Sequence, residues 1–387
     1  MDKTQIKSEA KLTFLESTSI IVGHGIGSGI LAVPYLASRN SWMDIVWILA
    51  LAYFISLMMH LMIAELSYHH NGAQFVKCLE GEFFKGTVKK IAGWIAFVMI
   101  GLSVLANVSG FIAGASAVFS SWFGLSSFAG MLIYYVLAAA VVFFGMKAVG
   151  VCEKIAIYAM FLVVGVLFFA VIFGNTNEFV NTRIAATNML ALFSMVSFSL
   201  SAVMSVPQVV KGLEGDAGEI KKSIICGTAL NLFMIIVVTF MTLLGTGKNI
   251  TEDGALVDLS RTIGGWVAVV GYLFTLLALS TSFWANILNL RDIVHEQSGL
   301  GLKTSYFAAS LPCLIIALLG ISSFVGLTRI AGVIQVVTGL GIILAYSRCR
   351  KREGNSPICG ILGSVPIQII VAVGSITATV GSLASVV

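Results

Sequence analysis

Eleven apolar runs, at about 13–37, 42–66, 91–120, 128–147, 152–174, 187–211, 222–247, 262–288, 304–323, 328–347 and 358–385, divide this chain. Each is about 20 residues or longer, the length an α-helix needs to cross the hydrocarbon core of a bilayer. Lipid offers no water to satisfy backbone N–H and C=O groups, so such a pattern restricts the chain to a bundle of helices. Only 11% of the 387 residues are charged and 58% are hydrophobic, against roughly 25% charged in a soluble domain. The expected fold class is an all-α, multi-pass membrane protein with eleven transmembrane helices.

Basic residues set the orientation, because Lys and Arg in short loops are retained on the cytoplasmic side. With the N-terminus inside, 18 of the 23 basic residues fall in cytoplasmic segments, leaving Arg39, Arg183, Lys248, Arg261 and Arg329 outside. The chain is therefore expected in the plasma (cytoplasmic) membrane, N-terminus cytoplasmic and C-terminus outside. The same asymmetry accounts for the net charge of +5, so no nucleic-acid partner is implied. Six cysteines show no disulfide framework or metal-type spacing. The first apolar run has no small-residue cleavage site and reads as a retained helix.

A repeat is visible at a shift of 173 residues, which lays Ser28-Gly29-Ile30-Leu31-Ala32-Val33-Pro34 over Ser201-Ala202-Val203-Met204-Ser205-Val206-Pro207. The first helix is matched to the sixth, and five helices separate the copies. An odd number inverts the second copy in the membrane, the arrangement of inverted-repeat transporters. The expected organisation is a cytoplasmic segment 1–12, a five-helix repeat over 13–174, a second over 187–347 and an extra C-terminal helix over 358–387.

Residues 23–34 read GHGIGSGILAVP, an unusual density of helix-weakening residues for a membrane span. Gly25, Gly27 and Gly29 permit the backbone to unwind and let a ligand approach the main chain. The half-helix beginning near Ser28 points the positive end of its dipole to the centre, which suits a carboxylate. In the sixth helix the first half ends near Ser199 to Ser201, and its free carbonyls suit an ammonium. The alternative is that these glycines only allow close helix packing.

With GSGILAVP, the sixth-helix run SFSLSAVMSVPQVVKGLEGD, the following KKSIICGTALNLF and the eighth-helix run LSTSFWANILNLRDI in view, the chain resembles the amino acid/auxin permease family. Its prokaryotic aromatic and hydroxy-amino-acid permeases look nearest, within the amino acid-polyamine-organocation superfamily. The resemblance implies a leucine-transporter-type fold and amino-acid import with a coupled cation. Several aromatic-acid relatives have a histidine in the sixth-helix break where this chain has Leu200 and Ser201, which weakens the expectation of an aromatic substrate.

No acidic residue falls at the middle of a predicted helix: Glu16, Glu65 and Glu153 read as near cytoplasmic ends and Asp44 as near an outer end. No Lys or Arg is central either, so the substrate expected is an amino acid with a neutral side chain. Its candidate contacts are Gly25, Gly27, Ser28, Gly29, Asn107, Ser199 and Ser201, with Phe198 and Met204 as walls. Asn107 is equally suited to an interhelical hydrogen bond.

Ala278, Thr281 and Ser282 share one helix face. With the Gly23 and Ile26 carbonyls they offer about five oxygens for a hard cation, and the A-x-x-T-S pattern resembles the sodium site of sodium-coupled relatives. Such hydroxyls also bond to the preceding turn. His24 is the other coupling candidate, since a titratable group inside a membrane helix is a functional suspect; it can equally be a neutral histidine bonded to a carbonyl. His60 carries less weight, and His69 and His70 read as solvated. Lys154 reads as an interfacial lysine. No G-x-x-x-x-G-K-[ST], HExxH or GxSxG occurs, so neither an enzyme nor a cofactor other than Na+ is expected. The competing function is a membrane amino-acid sensor that binds without net transport.

Overall fold

The computed structural model describes residues 10–27, 29–83, 86–174, 177–178, 185–247, 250–251, 255–320 and 324–383, with side chains at 86–89, 92 and 324–338 outside the description. Every regular element among the described residues is a helix. In chain order the helices are α1 Phe14–Gly25, α2 Gly29–Ala37, α3 Trp42–His69, α4 Phe75–Phe83, α5 Gly86–Phe123, α6 Ser127–Phe143, α7 Met146–Ile172, α8 Ala186–Ser199, α9 Val206–Gly212, α10 Ala217–Thr246, α11 Ala255–Ile263, α12 Trp266–Ser298, α13 Leu302–Leu318, α14 Phe324–Glu353 and α15 Val365–Ser382.

Seven described helices are long and apolar enough to cross a membrane, counting α8 with α9 as one, and eight when α1 and α2 are taken as one broken span bent by 55°. The apolar α6 and α13 are shorter, at 17 residues each. Each of the eleven apolar runs coincides with one helix or one broken pair. Two short helices, α4 and α11, were not expected. Each buries one face, with Phe75, Val76 and Cys78 on α4 and Leu256 and Leu259 on α11.

α1 lies at the centre, packed by α7, α10 and α12, and every residue from Glu16 to Gly25 except His24 is buried. A helix that is apolar on all sides is stable only in such a position. Its start is fixed by a capping box, Thr13 accepting from the Glu16 N–H while Glu16 Oε2 accepts from the Thr13 N–H at 2.8 Å. Lys147, at the start of α7, closes on the same carboxylate at 2.6 Å. The periphery carries exposed apolar side chains such as Ile155, Leu162 and Phe169 on α7 and Ile369, Val373 and Val380 on α15. That belt is the face a lipid environment requires.

Charge around the ends of α3, α4, α12 and α14 is more organised than solvation would make it. α12 runs ten residues beyond its expected end at 288, and it carries the buried Arg291–Asp292 pair at 2.7 Å. His70 meets Glu82 at 2.8 Å, and Glu82 also takes Arg352 at 2.6 Å. The expectation that His70 is merely solvated is corrected by this pairing.

Glu65, 1% exposed, gathers the turn between α14 and α15. Its carboxylate accepts from the Ile358 N–H at 3.1 Å, the Cys359 N–H at 2.8 Å, the Ser356 hydroxyl at 2.7 Å and the Tyr346 hydroxyl at 3.1 Å. One acid thereby satisfies two backbone donors that no helix serves. Glu65→Ala leaves those donors buried without an acceptor and should destabilise the fold by on the order of 3 kcal/mol. The expected readouts are a lower thermal midpoint in detergent and faster maleimide labelling of Cys359, which is 2% exposed in the native fold.

Candidate substrate and cation site

The first break follows from the space around its glycines. α1 stops at Gly25, the Gly27 N–H turns back to the Gly25 carbonyl at 2.8 Å, and α2 begins at Gly29. A Cβ on Gly25 would overlap the Asn231 amide, one on Gly29 would overlap the Ser199 hydroxyl, and one on Gly27 would lie 3.0 Å from Ser282 Oγ. Asn231 in turn donates to the Ile21 carbonyl at 3.2 Å, tying α10 to the turn before the break. Ser28 lies outside the described residues.

The second break opens after Ser199. Ser201 and Ala202 belong to no helix, Val203–Ser205 form a 3₁₀ turn, and α9 resumes at Val206. Free backbone groups here are met by side chains from neighbouring helices. His60 Nε2 accepts from the Ala202 N–H at 2.8 Å while its Nδ1 lies 2.5 Å from the Ser56 carbonyl. An amide only donates and a carbonyl only accepts, so the proton sits on Nδ1 and the ring is neutral. Asn289 donates to the Met204 carbonyl and to Gln74 Oε1.

Between the breaks is a cavity of about 20 Å³ reached by both. Of the expected substrate residues, Gly25, Gly27, Asn107, Phe198, Ser201 and Met204 line it. Gly29 and Ser199 stand against each other behind that lining, with the Ser199 hydroxyl donated to the Met195 carbonyl at 2.8 Å. His24 lines the cavity, its Nδ1 2.6 Å from Ser205 Oγ and its Nε2 3.5 Å from Asn286 Nδ2. Asn107 Oδ1 and Ser282 Oγ are buried without a hydrogen-bond partner.

The sequence reading missed Phe111, Val203 and Asn286 in the lining. Phe111 and Asn286 were findable, because each is one helical turn past an expected residue, Asn107 and Ser282. His60 had no such signal, since it serves a backbone group of another helix.

The expected cation residues also converge. Thr281 faces Gly23, its Cβ 3.0 Å from where a Gly23 Cβ would stand, and its hydroxyl donates to the Ala278 carbonyl at 3.0 Å. Ser282 faces Gly27, and Ile26 caps α1 at 1% exposure. An unexpected group joins them. The Glu153 carboxylate, read from the sequence as near a cytoplasmic end, is 0% exposed and lies against Gly23. Hydroxyl, carbonyl and carboxylate oxygens without a soft ligand form a set that fits a hard cation.

Solved structures share this architecture. The chain is similar to MhsT in its complex with L-phenylalanine, with a TM-score of 0.73 at 12% identity over 97% of this chain and 99% of that one. A nucleobase-cation-symport-1 family transporter, closed with bromovinylhydantoin bound, gives a TM-score of 0.67 at 13% identity over 98% and 93% of the two chains. A Na+-coupled sialic acid symporter gives 0.66 at 12% identity over 96% and 89%. The leucine-transporter-type fold expected from the resemblance is thus the fold of the chain. Among curated proteins, a tryptophan-specific transport protein of Haemophilus influenzae is 25% identical over 96% of both chains. A family model described as the tryptophan/tyrosine permease family matches residues 10–381. That match spans both breaks and every helix that builds the site, and the chain belongs to the tryptophan/tyrosine permease family.

Proposed function

We propose that the protein imports neutral L-amino acids by secondary active transport, coupling uptake to a cation, sodium or proton, by alternating access. One observation carries this reading: residues of both breaks, Gly25 and Gly27 of the first and Ser201, Val203 and Met204 of the second, line one cavity in which no Asp, Glu, Lys or Arg is found among the described residues. A zwitterion needs both its charges answered, and here the answering groups are main-chain dipoles. The N–H groups at the start of α2 suit its carboxylate, and the carbonyls at the end of α8 suit its ammonium. Gly25, Gly27, Ser28, Gly29, Asn107, Phe198, Ser199, Ser201 and Met204 are the proposed substrate residues, with Ser199 acting through its backbone because its hydroxyl is engaged. Gly23, Ile26, Ala278, Thr281 and Ser282 are the proposed cation residues. His24, which lines the cavity and is bonded toward Ser205 and Asn286, is the proposed proton-coupling residue.

A cavity of about 20 Å³ holds roughly one water, so substrate enters a more open arrangement than this one. The names of the family and of the Haemophilus influenzae relative put tryptophan and tyrosine first among the amino acids to try. The bound L-phenylalanine and the sodium coupling of the structural neighbours support an amino acid moved with a cation. We further propose five-plus-five inverted repeats over 13–174 and 187–347, an added C-terminal helix, and an N-in, C-out orientation in the plasma membrane.

Uptake of radiolabelled tryptophan, tyrosine, serine and leucine into proteoliposomes should exceed equilibrium for at least one of them when a sodium or proton gradient is imposed. Equal uptake with and without every gradient would overturn coupling. His60→Phe, which leaves the Ala202 N–H unsatisfied at a cost of about 1–3 kcal/mol, should lower the initial rate by roughly tenfold at equal protein content. Gly29→Val, which drives a side chain into Ser199 and Phe198, should abolish uptake while leaving the purified protein monodisperse.

A further inference from the structure

The ends of α3, α4 and α14 bring together three side chains that the transport scheme above leaves without a task. His70 caps α3, Glu82 is the second-to-last residue of α4, and Cys349 lies near the end of α14. One ligand atom of each, an imidazole nitrogen, a carboxylate oxygen and Sγ, all lie within 4.8 Å of one another. The His70 Nε2 is 2.8 Å from Glu82 Oε1. Cys349 is 1% exposed, and the side chains of His70 and Glu82 are 17% and 3% exposed. The imidazole is seated on the backbone of α4, since a Cβ on Gly81 would lie 2.5 Å from its Cε1.

The donor set selects the ion. Sodium, magnesium and calcium are held by oxygen, whereas thiolate and imidazole together favour a late first-row divalent ion, zinc being common to both ligand types. A tetrahedral zinc with bonds of about 2.0–2.3 Å keeps its ligand atoms about 3.3–3.8 Å apart, so adjustments of about 1 Å bring the three onto one ion.

A cation already stands there. Arg352 Nη1 is 2.6 Å from Glu82 Oε1, and its Nη2 is 3.8 Å from Cys349 Sγ. That guanidinium is 47% exposed and is also held by Glu353 at 2.9 Å, so it can leave Glu82 for water without losing every partner. Nor does its departure release α4 from α14. The Arg348 guanidinium lies 4.6 Å over the Phe83 ring and donates to the Glu82 carbonyl at 3.3 Å.

We propose that His70, Glu82 and Cys349 form a binding site for a zinc-class divalent ion, which displaces the Arg352 guanidinium from between the carboxylate and the sulfur. His70 binds through Nε2 with its proton on Nδ1. The ion replaces the Cys349 thiol proton, which passes to water, and a water completes the fourth position. Carboxylate and thiolate then carry two negative charges that the ion balances, as Arg352 balances the carboxylate alone in its absence. Bound there, the ion staples α14 to the turn between α3 and α4. Binding at this place is independent of substrate movement, so its test reads the metal itself.

The test uses the full chain, free of any histidine tag, in detergent. Co2+ should give thiolate-to-metal charge-transfer absorption and the visible bands of a tetrahedral ion. Zn2+ should erase both and raise the thermal midpoint in a concentration-dependent way, and Mg2+ should do neither. His70→Gln and Cys349→Ser should each weaken Zn2+ binding by at least about tenfold, the loss that follows from altering even the groups behind a ligand. Cys349→Ser should also remove the charge-transfer band. Arg352→Gln, which takes away the competing cation, should tighten Zn2+ binding by about fivefold, the worth of a partly exposed ion pair. Should Cys349→Ser fail to fold, His70→Gln and the half-exposed Arg352→Gln decide the matter. A wild-type protein without the charge-transfer band overturns the proposal, as does a band that persists in Cys349→Ser. So does Zn2+ binding that His70→Gln leaves unchanged or that Arg352→Gln weakens.

Discussion

The interior of a bilayer tolerates no idle peptide group, and this requirement organises the protein around its two breaks. Unwinding a helix strips several N–H and C=O groups of their partners. The bundle answers with side chains from other helices: His60 on the Ala202 N–H, Asn289 on the Met204 carbonyl and Asn231 on the Ile21 carbonyl. Each donor or acceptor is neutral and comes from a helix that stays continuous. The continuous helices thus brace the broken ones, and residues of both breaks line the cavity.

Much of this was legible in the sequence. Apolar length placed the helices, and the clustering of glycines within 23–29 marked the first break because backbone packed against a side chain leaves no room for Cβ. Gly23, Gly25, Gly27 and Gly29 each have a neighbour where that atom would stand, Glu153, Asn231, Ser282 and Ser199 respectively. Helical spacing grouped Ala278, Thr281 and Ser282, and they do share the face turned to α1.

Other features were not legible, for reasons that differ by residue. Glu153 reads as peripheral because an acid a few residues into an apolar run is ordinarily at the interface; only the glycine opposite it, on a helix 130 residues away in the chain, makes room for it inside. Ser199 reads as a ligand because its hydroxyl lies at a break, but the hydroxyl folds back to its own helix, as serines often do. Charge on α12 past 288 reads as loop, and the Arg291–Asp292 pair lets the helix continue there. Sequence distance hides partners that cross the bundle.

The imidazole of His60 has a mechanical consequence. With both ring nitrogens committed, one to Ser56 on its own helix and the other to the Ala202 amide, it acts as a rivet between α3 and the second break. A displacement of the second break relative to α3 therefore has to break the Ala202–His60 bond, whereas on the other side of the cavity Asn107 Oδ1 of α5 has no hydrogen-bond partner to lose.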